Sequence, residues 1–377
     1  MTTAMPSLDL LRSLSDEHVL SALIDHPRLT RTELADLTGI SKPTVSESVR
    51  RLMAAGLALD TGERTTGRGR SGAYFALSPT LAGALVVSIA PDAVSAECVD
   101  VRGHVQSRSV RALPGTTRPA TVRRALKAAA SEAVSHGART PGMAVVSAAD
   151  PVDRASGRLV HLPDSPFLIG EFDPVKDLDE FVTGDVDVDN DVNWAARAEA
   201  VALADAGEPD DFTYLHLGTG LGCALVSGGA VLRGHGGLAG EVAHVITCDQ
   251  RGRAVTFTGF FEAAGLRQLA TPAVDVGALI ERVEAGGRSA ATFRASLGDA
   301  VAGVLTAVIA LADPGLVVVG GEWGKHPAVL DAIRDGLTRA PRGVDVRAPL
   351  CVDEPALAGA REHAVQRLRT QLLQSVR

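Results

Sequence analysis

The chain is poor in aromatic residues and in cysteine. Only 3% of its 377 residues are Phe, Trp or Tyr, so Ala, Val and Leu have to build its cores. The four cysteines, Cys98, Cys223, Cys248 and Cys351, are widely scattered and form no CxxC pair. This spacing argues against a disulfide framework and against a CxxC-type zinc site, and it is typical of a protein in a reducing cytoplasm.

Long apolar runs are also missing. No run approaches the ~18–20 residues that a membrane span needs. The first residues, MTTAMPSLDLLRS, lack the basic segment and the long apolar stretch of a signal peptide. We therefore expect a cytoplasmic protein with no membrane partner. The length predicts two or three domains, and the share of hydrophobic residues, 46%, is ordinary for globular proteins.

The net charge of −8 is unevenly distributed along the chain. Residues 1–78 contain 9 basic and 9 acidic residues, whereas the remainder contains 28 basic and 36 acidic residues. Within residues 42–70, 6 basic residues stand against 3 acidic ones. A basic stretch in an otherwise acidic protein predicts a surface that contacts DNA phosphates.

Three short helical patterns begin the chain. Residues 16–25 place apolar side chains on one face, with Asp16 as the candidate N-cap, and Pro27 ends this helix. Thr30 and Glu33 have the spacing of a capping box at the start of the second helix.

The third helical pattern follows a glycine turn at Gly39. Ser41 is the expected N-cap, Pro43 is tolerated in the first turn, and Gly56 ends the helix. The apolar side chains expected on its buried face are those of Val45, Val49 and Leu52. Helix, short glycine turn and capped helix form the helix-turn-helix arrangement.

Polar residues of this third helix and of the following loop are the candidate DNA contacts. Residues 57–61 and 73–77 read as two strands around a polar loop rich in Arg and Gly, which predicts a wing that enters the minor groove. The predicted DNA-binding residues are Lys42, Thr44, Ser46, Glu47, Arg50, Arg68 and Arg70. The alternatives are a three-helix unit that binds protein and a charged loop that stays solvated.

From residue 81 onward, apolar strands alternate with helices, which predicts an α/β fold. Several strands end in glycine turns, where phosphates and small ligands dock in α/β proteins. Five segments then carry a resemblance to a known family: DPVD at 150–153, VDNDVNWAARAE at 188–199, LGTGLG to RG at 217–234, GEVAH at 240–244 and DPGLVVVGG at 313–321.

In this order, the segments resemble the ROK family, which contains bacterial sugar kinases and sugar-responsive repressors. The resemblance covers essentially the whole chain, and the winged helix in front is similar to that of the repressor branch. It implies a two-lobed, actin-like ATPase fold behind the winged helix-turn-helix. We divide the chain into residues 1–80 for the DNA-binding domain, 81–188 for the N-terminal lobe and 189–377 for the C-terminal lobe with its final helix.

The resemblance also implies a sugar site. In the kinases of the family, the aspartate at the position of Asp191 is the general base that accepts a sugar hydroxyl proton. The residues that the resemblance assigns to sugar binding are Asn190, Asp191, Glu241, His244 and Glu262. The alternative for Asp191 is to cap the helix that begins near Asn193. The alternative for His244 is a purely structural role.

The phosphate-binding turn departs from the family pattern. Kinases of the family carry Asp-x-Gly-Gly-Thr, whereas the matching stretch here is Ser88-Ile-Ala-Pro-Asp92. Pro91 removes an N–H donor, Asp92 adds a negative charge where phosphates lie, and Ser88 replaces the carboxylate that helps to hold Mg²⁺. Although the glycine turn at 218–222 is retained, we expect no kinase activity, no catalytic residues and no cofactor.

The second departure concerns zinc. The family usually follows Gly-His with a cysteine-rich loop that forms a structural zinc site. Residues 245–262 contain only Cys248, so we predict no structural metal. Packing of Phe257, Phe260 and Phe261 is expected to hold the loop instead. This change also puts the position of Glu262 in question.

The sequence therefore predicts a DNA-binding transcriptional repressor of carbohydrate-related genes that senses a sugar or sugar derivative. Its expected partners are an operator of two-fold symmetry, a sugar effector, and further copies of the chain in a homodimer or a dimer of dimers. One alternative is an active ATP-dependent sugar kinase with a DNA-binding appendage. The other is an orphan regulator that binds no sugar.

Overall fold

The structure, a computed structural model, describes residues 8–66, 72–114, 118–137, 139–162, 167, 171–268, 271–340 and 342–377. The elements of the first unit are α1 (Leu8–Asp25), β1 (Leu29–Thr30), α2 (Arg31–Thr38), α3 (Lys42–Ala54), β2 (Ala58–Arg64) and β3 (Ala73–Leu77). The strands pair antiparallel in the order β1-β3-β2. This unit is a winged helix-turn-helix.

Local hydrogen bonds fix the ends of α2 and α3 as the sequence predicts. The Thr30 side chain accepts from the Glu33 backbone N–H at 3.3 Å, and the Glu33 carboxylate accepts from the Thr30 N–H at 2.7 Å. Gly39 takes a left-handed φ of 70°, and Ser41 caps α3. The capping box, the glycine turn and the second cap are therefore confirmed.

The prediction that Asp16 is an N-cap is wrong. Helix α1 begins at Leu8, so Asp16 lies inside the helix rather than at its start. The Asp16 carboxylate is buried and accepts two hydrogen bonds from the Arg51 guanidinium, at 2.8 and 2.6 Å. This bidentate pair joins α1 to α3 and occupies an arginine of the basic stretch.

The first lobe is built on a mixed five-stranded sheet. Its elements are β4 (Ala84–Ile89), β5 (Ala93–Val99), β6 (Val105–Ala112), α4 (Pro119–His136), β7 (Met143–Ala148), α5 (Pro174–Leu178) and β8 (Val186–Asn190). The strand order is β6-β5-β4-β7-β8, antiparallel among β4, β5 and β6 and parallel from β4 to β8.

The second lobe also contains a five-stranded sheet, and a small hairpin beside it. Its elements are α6 (Asp191–Asp205), β9 (Phe212–Leu217), β10 (Leu221–Ser227), β11 (Ala230–Val231), β12 (Ile246–Cys248), β13 (Ala254–Thr256), α7 (Phe257–Ala263), α8 (Val276–Glu284), α9 (Gly287–Ala312), β14 (Leu316–Gly320), α10 (Pro327–Leu337), β15 (Asp345–Arg347) and α11 (Pro355–Gln374). The order of the large sheet is β11-β10-β9-β14-β15.

Helices α6 and α11 lie between the two sheets. Apolar residues of α6 pack against β9, β10 and β14, whereas Trp194 of the same helix packs with α11 and the first-lobe sheet. Strand β8 continues to Asn190, beyond the expected lobe boundary at residue 188. Helix α11 packs on β4 and β7, although it follows the second lobe in sequence. The division into residues 1–80, 81–188 and 189–377 stays a prediction.

Helix α9 changes one expectation from the sequence. It is 26 residues long, and its most apolar 18-residue window has a mean hydropathy of 1.9, so length and composition alone would allow it to cross a membrane. The expectation that no run approaches a membrane span was therefore wrong. In the structure, 44% of that window is buried, and its buried residues, including Val301 and Leu305, belong to the core of the second lobe.

The winged helix shares one apolar core with the first lobe. The cluster that contains Leu20 and Phe75 of the winged helix continues through Val86 of β4 to Ala364 and Leu368 of α11. The Ser13 hydroxyl also donates to the carbonyl of Val376 at 2.9 Å. The winged helix is therefore packed against the first lobe and α11 rather than connected only by a linker.

Candidate functional site

A cavity of about 440 Å³ lies between the two lobes. Its wall includes Pro91 and Asp92 from the first lobe, and Gly220, Glu241 and His244 from the second. Four of the five predicted sugar-binding residues line this cavity: Asn190, Asp191, Glu241 and His244. Segments that are far apart in sequence therefore meet as the predicted site requires.

The junction between β8 and α6 positions Asp191 at the cavity. Asn190, rather than Asp191, is the N-cap of α6, because its side-chain oxygen accepts from the Val192 N–H at 3.0 Å. The amide nitrogen of Asn190 donates to the carbonyls of Ala148 and Asp150, each at 3.3 Å. Asp191 is thus not needed as the cap, and it lines the cavity. The Asn190 amide is mainly occupied in holding this junction.

Glu241 is placed by a backbone turn that only glycine fits. Gly240 has a φ of +94°, and a Cβ at this position would lie 1.8 Å from the Cys223 carbonyl oxygen. The chain can therefore approach β10 closely enough to bring Glu241 into the cavity beside His244.

Burial and mutual repulsion make the carboxyl groups of the cavity weak acids. Burial raises the pKa of Asp191 to about 6, with smaller contributions from Asp150 and Glu241, while His216 acts in the opposite direction. Burial also raises the pKa of Glu241 to about 7, and the charge of Asp150 adds to this effect. These carboxyl groups can exchange between donor and acceptor roles near neutral pH.

Glu262 does not join the other predicted ligands. Its carboxylate lies 3.0 Å from the Arg267 guanidinium, and its side chain is 70% exposed. The cavity is also lined by Thr258, His216 and Glu322, which were not among the predicted ligand-binding residues. Thr258 lies four residues before Glu262 in the same short helix, α7. The unusual loop between His244 and this helix is the sequence signal that could have indicated that Thr258, rather than Glu262, lines the cavity.

The cavity is acidic. Asp92, Asp191, Glu241 and Glu322 all line it, and no Lys or Arg stands among its described lining residues. Pro91 lies in the turn between β4 and β5 and has no N–H to offer. Glu322 lies against the retained glycine turn, because a Cβ on Gly218 would meet its carboxylate. These features disfavour a polyphosphate in the cavity.

The loop after His244 is held by aromatic packing, as predicted. Phe257, Phe260 and Phe261 are each fully buried, and Phe261 packs against Trp323 with ring centroids 5.6 Å apart. The Thr247 hydroxyl donates to the Ala300 carbonyl at 2.8 Å, which ties the β12–β13 hairpin to α9. Within the described ranges, no group of three or more His, Cys, Asp or Glu side chains could hold a metal ion.

Helix α3 presents most of the predicted DNA-binding residues to solvent. Lys42, Thr44, Glu47 and Arg50 are exposed, and the predicted buried side chains Val45, Val49 and Leu52 are indeed buried. The Ser46 hydroxyl donates to the Lys42 carbonyl at 2.8 Å. Arg68 and Arg70, predicted for the wing, lie outside the described residues.

An ion pair on the exposed surface of α3 partly neutralises the positive charge of Arg50. The Arg50 guanidinium donates to both carboxylate oxygens of Glu47, at 3.0 and 2.5 Å, and both side chains are more than half exposed. Glu47 therefore offsets the charge of Arg50 on the surface that would meet DNA phosphates.

Comparison with known proteins agrees with this arrangement. The ROK family model matches residues 87–361, and a model described as winged helix-turn-helix DNA-binding matches residues 12–57. N-acetylmannosamine kinases of Escherichia fergusonii and Escherichia coli are each 26% identical over 286 residues, which is 73% of this chain and 96% of theirs.

Solved structures show the same fold. A ROK family transcriptional regulator described as a homologue of the E. coli MLC protein superposes with a TM-score of 0.63 at 16% identity, over 97% of this chain and 98% of its own. A ROK hexokinase from Thermus thermophilus superposes with a TM-score of 0.59 at 23% identity, over 76% and 99%. A ROK glucokinase from Streptomyces griseus, in complex with glucose and AMPPNP, gives 0.54 at 23% identity, over 75% and 99%.

The first of these structures spans 97% of the chain, whereas the two kinases span 75% and 76% of it. The family match itself covers well over half of the chain. The chain therefore belongs to the ROK family, and it carries a winged helix-turn-helix DNA-binding domain in front of the two-lobed ROK fold.

Proposed function

We propose that this protein is a cytoplasmic transcriptional repressor of carbohydrate-related genes, and that its ROK domain binds a neutral sugar or sugar derivative without phosphorylating it. One observation carries the proposal. The interlobe cavity combines convergent polar groups for a sugar with an acidic lining that lacks arginine and lysine among its described residues.

The polar groups suit a neutral ligand rich in hydroxyls. Asp191, Glu241 and His244 can each accept or donate a hydrogen bond, and a buried site of this kind discriminates against ligands that leave its groups unpaired. Ionised carboxylates are the stronger acceptors for sugar hydroxyls. Since the pKa values of Asp191 and Glu241 are raised to about 6 and about 7, sugar affinity should increase as the pH rises through this range.

The same lining argues against kinase chemistry. ATP would bring its phosphate charges towards Asp92 and Glu322 with no arginine or lysine of the described lining to offset them. Phosphoryl transfer depends on cations and backbone N–H donors around the transferred group, and Pro91 supplies no such donor. In this proposal Asp191 is a ligand-binding residue and no longer a general base.

Helix α11 connects the sugar-binding fold to the DNA-binding domain. Arg369 of α11 lies 3.2 Å from Asp25 of α1, and Arg377, just beyond α11, lies 2.8 Å from Glu17 of the same helix. Helix α11 packs against α6 as well as against the first-lobe sheet, so closure of the lobes on a sugar would shift its packing. Because α11 and the winged helix share one core, this motion would change how two DNA-binding domains of a homodimer, or of a dimer of dimers, fit a two-fold operator.

Thermal unfolding of the full chain with a panel of sugars, sugar phosphates and ATP–Mg²⁺ tests the proposal. A ligand at ~100 times its Kd stabilises the folded state by about 2.7 kcal/mol, which shifts the melting temperature measurably. We expect a shift with one neutral sugar, no shift with ATP–Mg²⁺, and a change in operator affinity at the same sugar concentration. DNA duplexes that the protein selects from a random pool serve as the operator in this experiment. The sequences of the selected duplexes show whether the operator has two-fold symmetry.

The other outcomes decide against the proposal. A shift with ATP–Mg²⁺, accompanied by sugar-dependent ADP formation, would identify an active kinase with a DNA-binding appendage. Selected duplexes that bind tightly but respond to none of the sugars would identify an orphan regulator.

A further inference from the structure

A second cavity, of about 680 Å³, lies outside the interlobe site. In contrast to the acidic cleft, it is lined mainly by cationic and titratable side chains: Arg154, Arg197, Arg233, His235, His363 and Asp187. These residues come from separate parts of the chain, so the cluster is a product of the tertiary fold.

Two of the arginines are partly buried, and their hydrogen-bond donors are only partly satisfied. In the described structure, the Nε atoms of Arg197 and Arg233 are both inaccessible to solvent and have no hydrogen-bond partner. The Arg197 guanidinium lies over the Trp194 ring, 5.1 Å from its centroid. Burial, and next the charge of Arg233, lower the pKa of Arg197. Buried donors without partners are rare and usually indicate a missing ligand or water.

The carboxylates around the cavity do not neutralise all of the arginines. Asp189 lies 2.5 Å from Arg233, and Asp187 lies 2.8 Å from the ring nitrogen of His363. Arg197 and Arg154 form no ion pair with any described residue, and the hydrogen bond of the Arg154 guanidinium goes to the Gly234 carbonyl at 3.2 Å. The guanidinium groups of Arg154 and Arg197 therefore have no carboxylate partner within ion-pair distance among the described residues, although the charges of Asp189 and Asp187 act on Arg197 from further away.

The cavity also lies where the lobes meet. Asp187 and Asp189 belong to β8 of the first-lobe sheet, whereas Arg233 follows β11 of the second. The Arg233–Asp189 pair therefore crosses between the lobes. On α11, His363 lines the cavity one turn before Arg367, which pairs with Asp185 at 3.2 Å.

We propose that this cavity is a second ligand site, which binds a small molecule through a phosphate group held by Arg154, Arg197 and Arg233. Guanidinium groups match phosphate oxygens in charge and in bidentate geometry. Because the site joins both lobes and α11, its occupation would favour one relative position of the lobes. This inference does not depend on the proposed sugar effector, since the two sites require ligands of different charge.

Isothermal titration calorimetry of the full chain tests this site with inorganic phosphate, pyrophosphate and glucose 6-phosphate as probes. The informative variants are Arg197→Met, which keeps the apolar stem, and Arg154→Ala, whose side chain is exposed and whose loss should not impair folding. Arg288→Ala removes an exposed arginine outside both cavities and is the matched control. Asp191→Asn reports on binding in the interlobe cleft.

We expect saturable binding of at least one probe, with an apparent Kd raised about tenfold or more by Arg197→Met and several-fold by Arg154→Ala, as loss of a charge-assisted hydrogen bond predicts. Arg288→Ala and Asp191→Asn should leave it unchanged. Tighter binding of inorganic phosphate or pyrophosphate than of glucose 6-phosphate would identify a free anion as the ligand. Tighter binding of glucose 6-phosphate would identify a phosphate monoester.

Three results would overturn the inference. Binding that is equal in the wild type, Arg197→Met and Arg154→Ala would mean that the anion lies elsewhere. Loss of binding in Asp191→Asn would place it in the cleft. Absence of binding by all three probes would remove the site, and this result is independent of whether a neutral sugar shifts the melting temperature. If Arg197→Met does not fold, Arg154→Ala alone decides between these outcomes.

Discussion

The Arg102 guanidinium donates to the Ile24 carbonyl at 2.9 Å, and so binds the first lobe to the last turn of α1. It also donates to the carbonyls of Leu23 and His26, each at 2.8 Å. Carbonyl groups at the end of a helix lack partners within the helix, and a cation is favourable there. One side chain of the first lobe therefore fixes the exit of the first helix of the DNA-binding domain.

Replacement of Arg102 by Ala should loosen the winged helix from the first lobe. Loss of these hydrogen bonds should reduce the free energy of unfolding by ~1–3 kcal/mol. Hydrogen exchange should become faster in α1 than in the core strands of the second lobe, such as β14. Equal protection of α1 in Arg102→Ala and the wild type would contradict this role, and Arg124→Ala, which removes an exposed arginine of α4 in the first lobe, is the control.

Substitutions on α3 should change DNA affinity in opposite directions. Arg50→Ala should weaken binding to a selected duplex and, if Arg50 contacts a phosphate, reduce the slope of log affinity against log salt by about one. Glu47→Gln removes the charge that offsets Arg50, so it should increase affinity, most at low salt. Fluorescence anisotropy over a salt series measures both effects, with Arg288→Ala as the control. If neither variant differs from the wild type, α3 is not the recognition helix.

The wing supplies a separate prediction. Arg70→Ala should weaken DNA binding without changing the melting temperature, because an arginine in a narrow minor groove contributes mainly through charge. Unchanged affinity would contradict the placement of the wing in the minor groove. Duplexes that carry an A-tract beside the half-site should show the larger loss.

Two glutamates distinguish the interlobe cavity seen in the structure from the sugar site implied by the family resemblance. Glu241→Gln should abolish the sugar-induced shift in melting temperature, because Glu241 lines the cavity. Glu262→Gln should leave the shift unchanged, because its carboxylate is paired with Arg267 at the surface. Asp191→Ala should also abolish the response while operator binding is retained. A response that survives in both Glu241→Gln and Asp191→Ala would place the ligand elsewhere.

The raised pKa of Asp191 predicts a pH-dependent cost in stability. Its ordinary pKa of 3.8 is raised to about 6 in the folded protein, so between these values the folded state binds a proton that the unfolded state does not. The stability that this protonation contributes is fully present below pH ~4 and is lost as the pH rises through about 6. Above that range, the ionised Asp191 therefore makes the protein less stable.

Asp191→Asn removes this titration. The variant should be more stable than the wild type by ~1–3 kcal/mol at pH 8, and the difference should shrink towards pH 4. Urea unfolding of both proteins across this range measures the effect. A difference in the free energy of unfolding that does not vary with pH would show that the pKa of Asp191 is not raised in the folded protein.

By itself, the sequence determined the features that depend on near neighbours. The capping box of α2, the turn at Gly39 and the buried face of α3 follow from side chains three or four residues apart, whose hydrogen bonds form as soon as the local backbone does. The order of the glycine and carboxylate segments likewise predicted the ROK fold and four of the polar residues that line the cleft.

The tertiary structure decided what depends on distant partners. Asp16 forms a buried pair with Arg51 instead of a cap, because α1 extends further than its apolar pattern indicated. Glu262 lies at the surface beside Arg267, because Phe257, Phe260 and Phe261 take the buried positions of its helix. The arginine-rich second cavity has no signal in sequence, because folding brings its residues together from β8, α6, α11 and the segment after β11. Such positions are set by long-range packing, which no local spacing encodes.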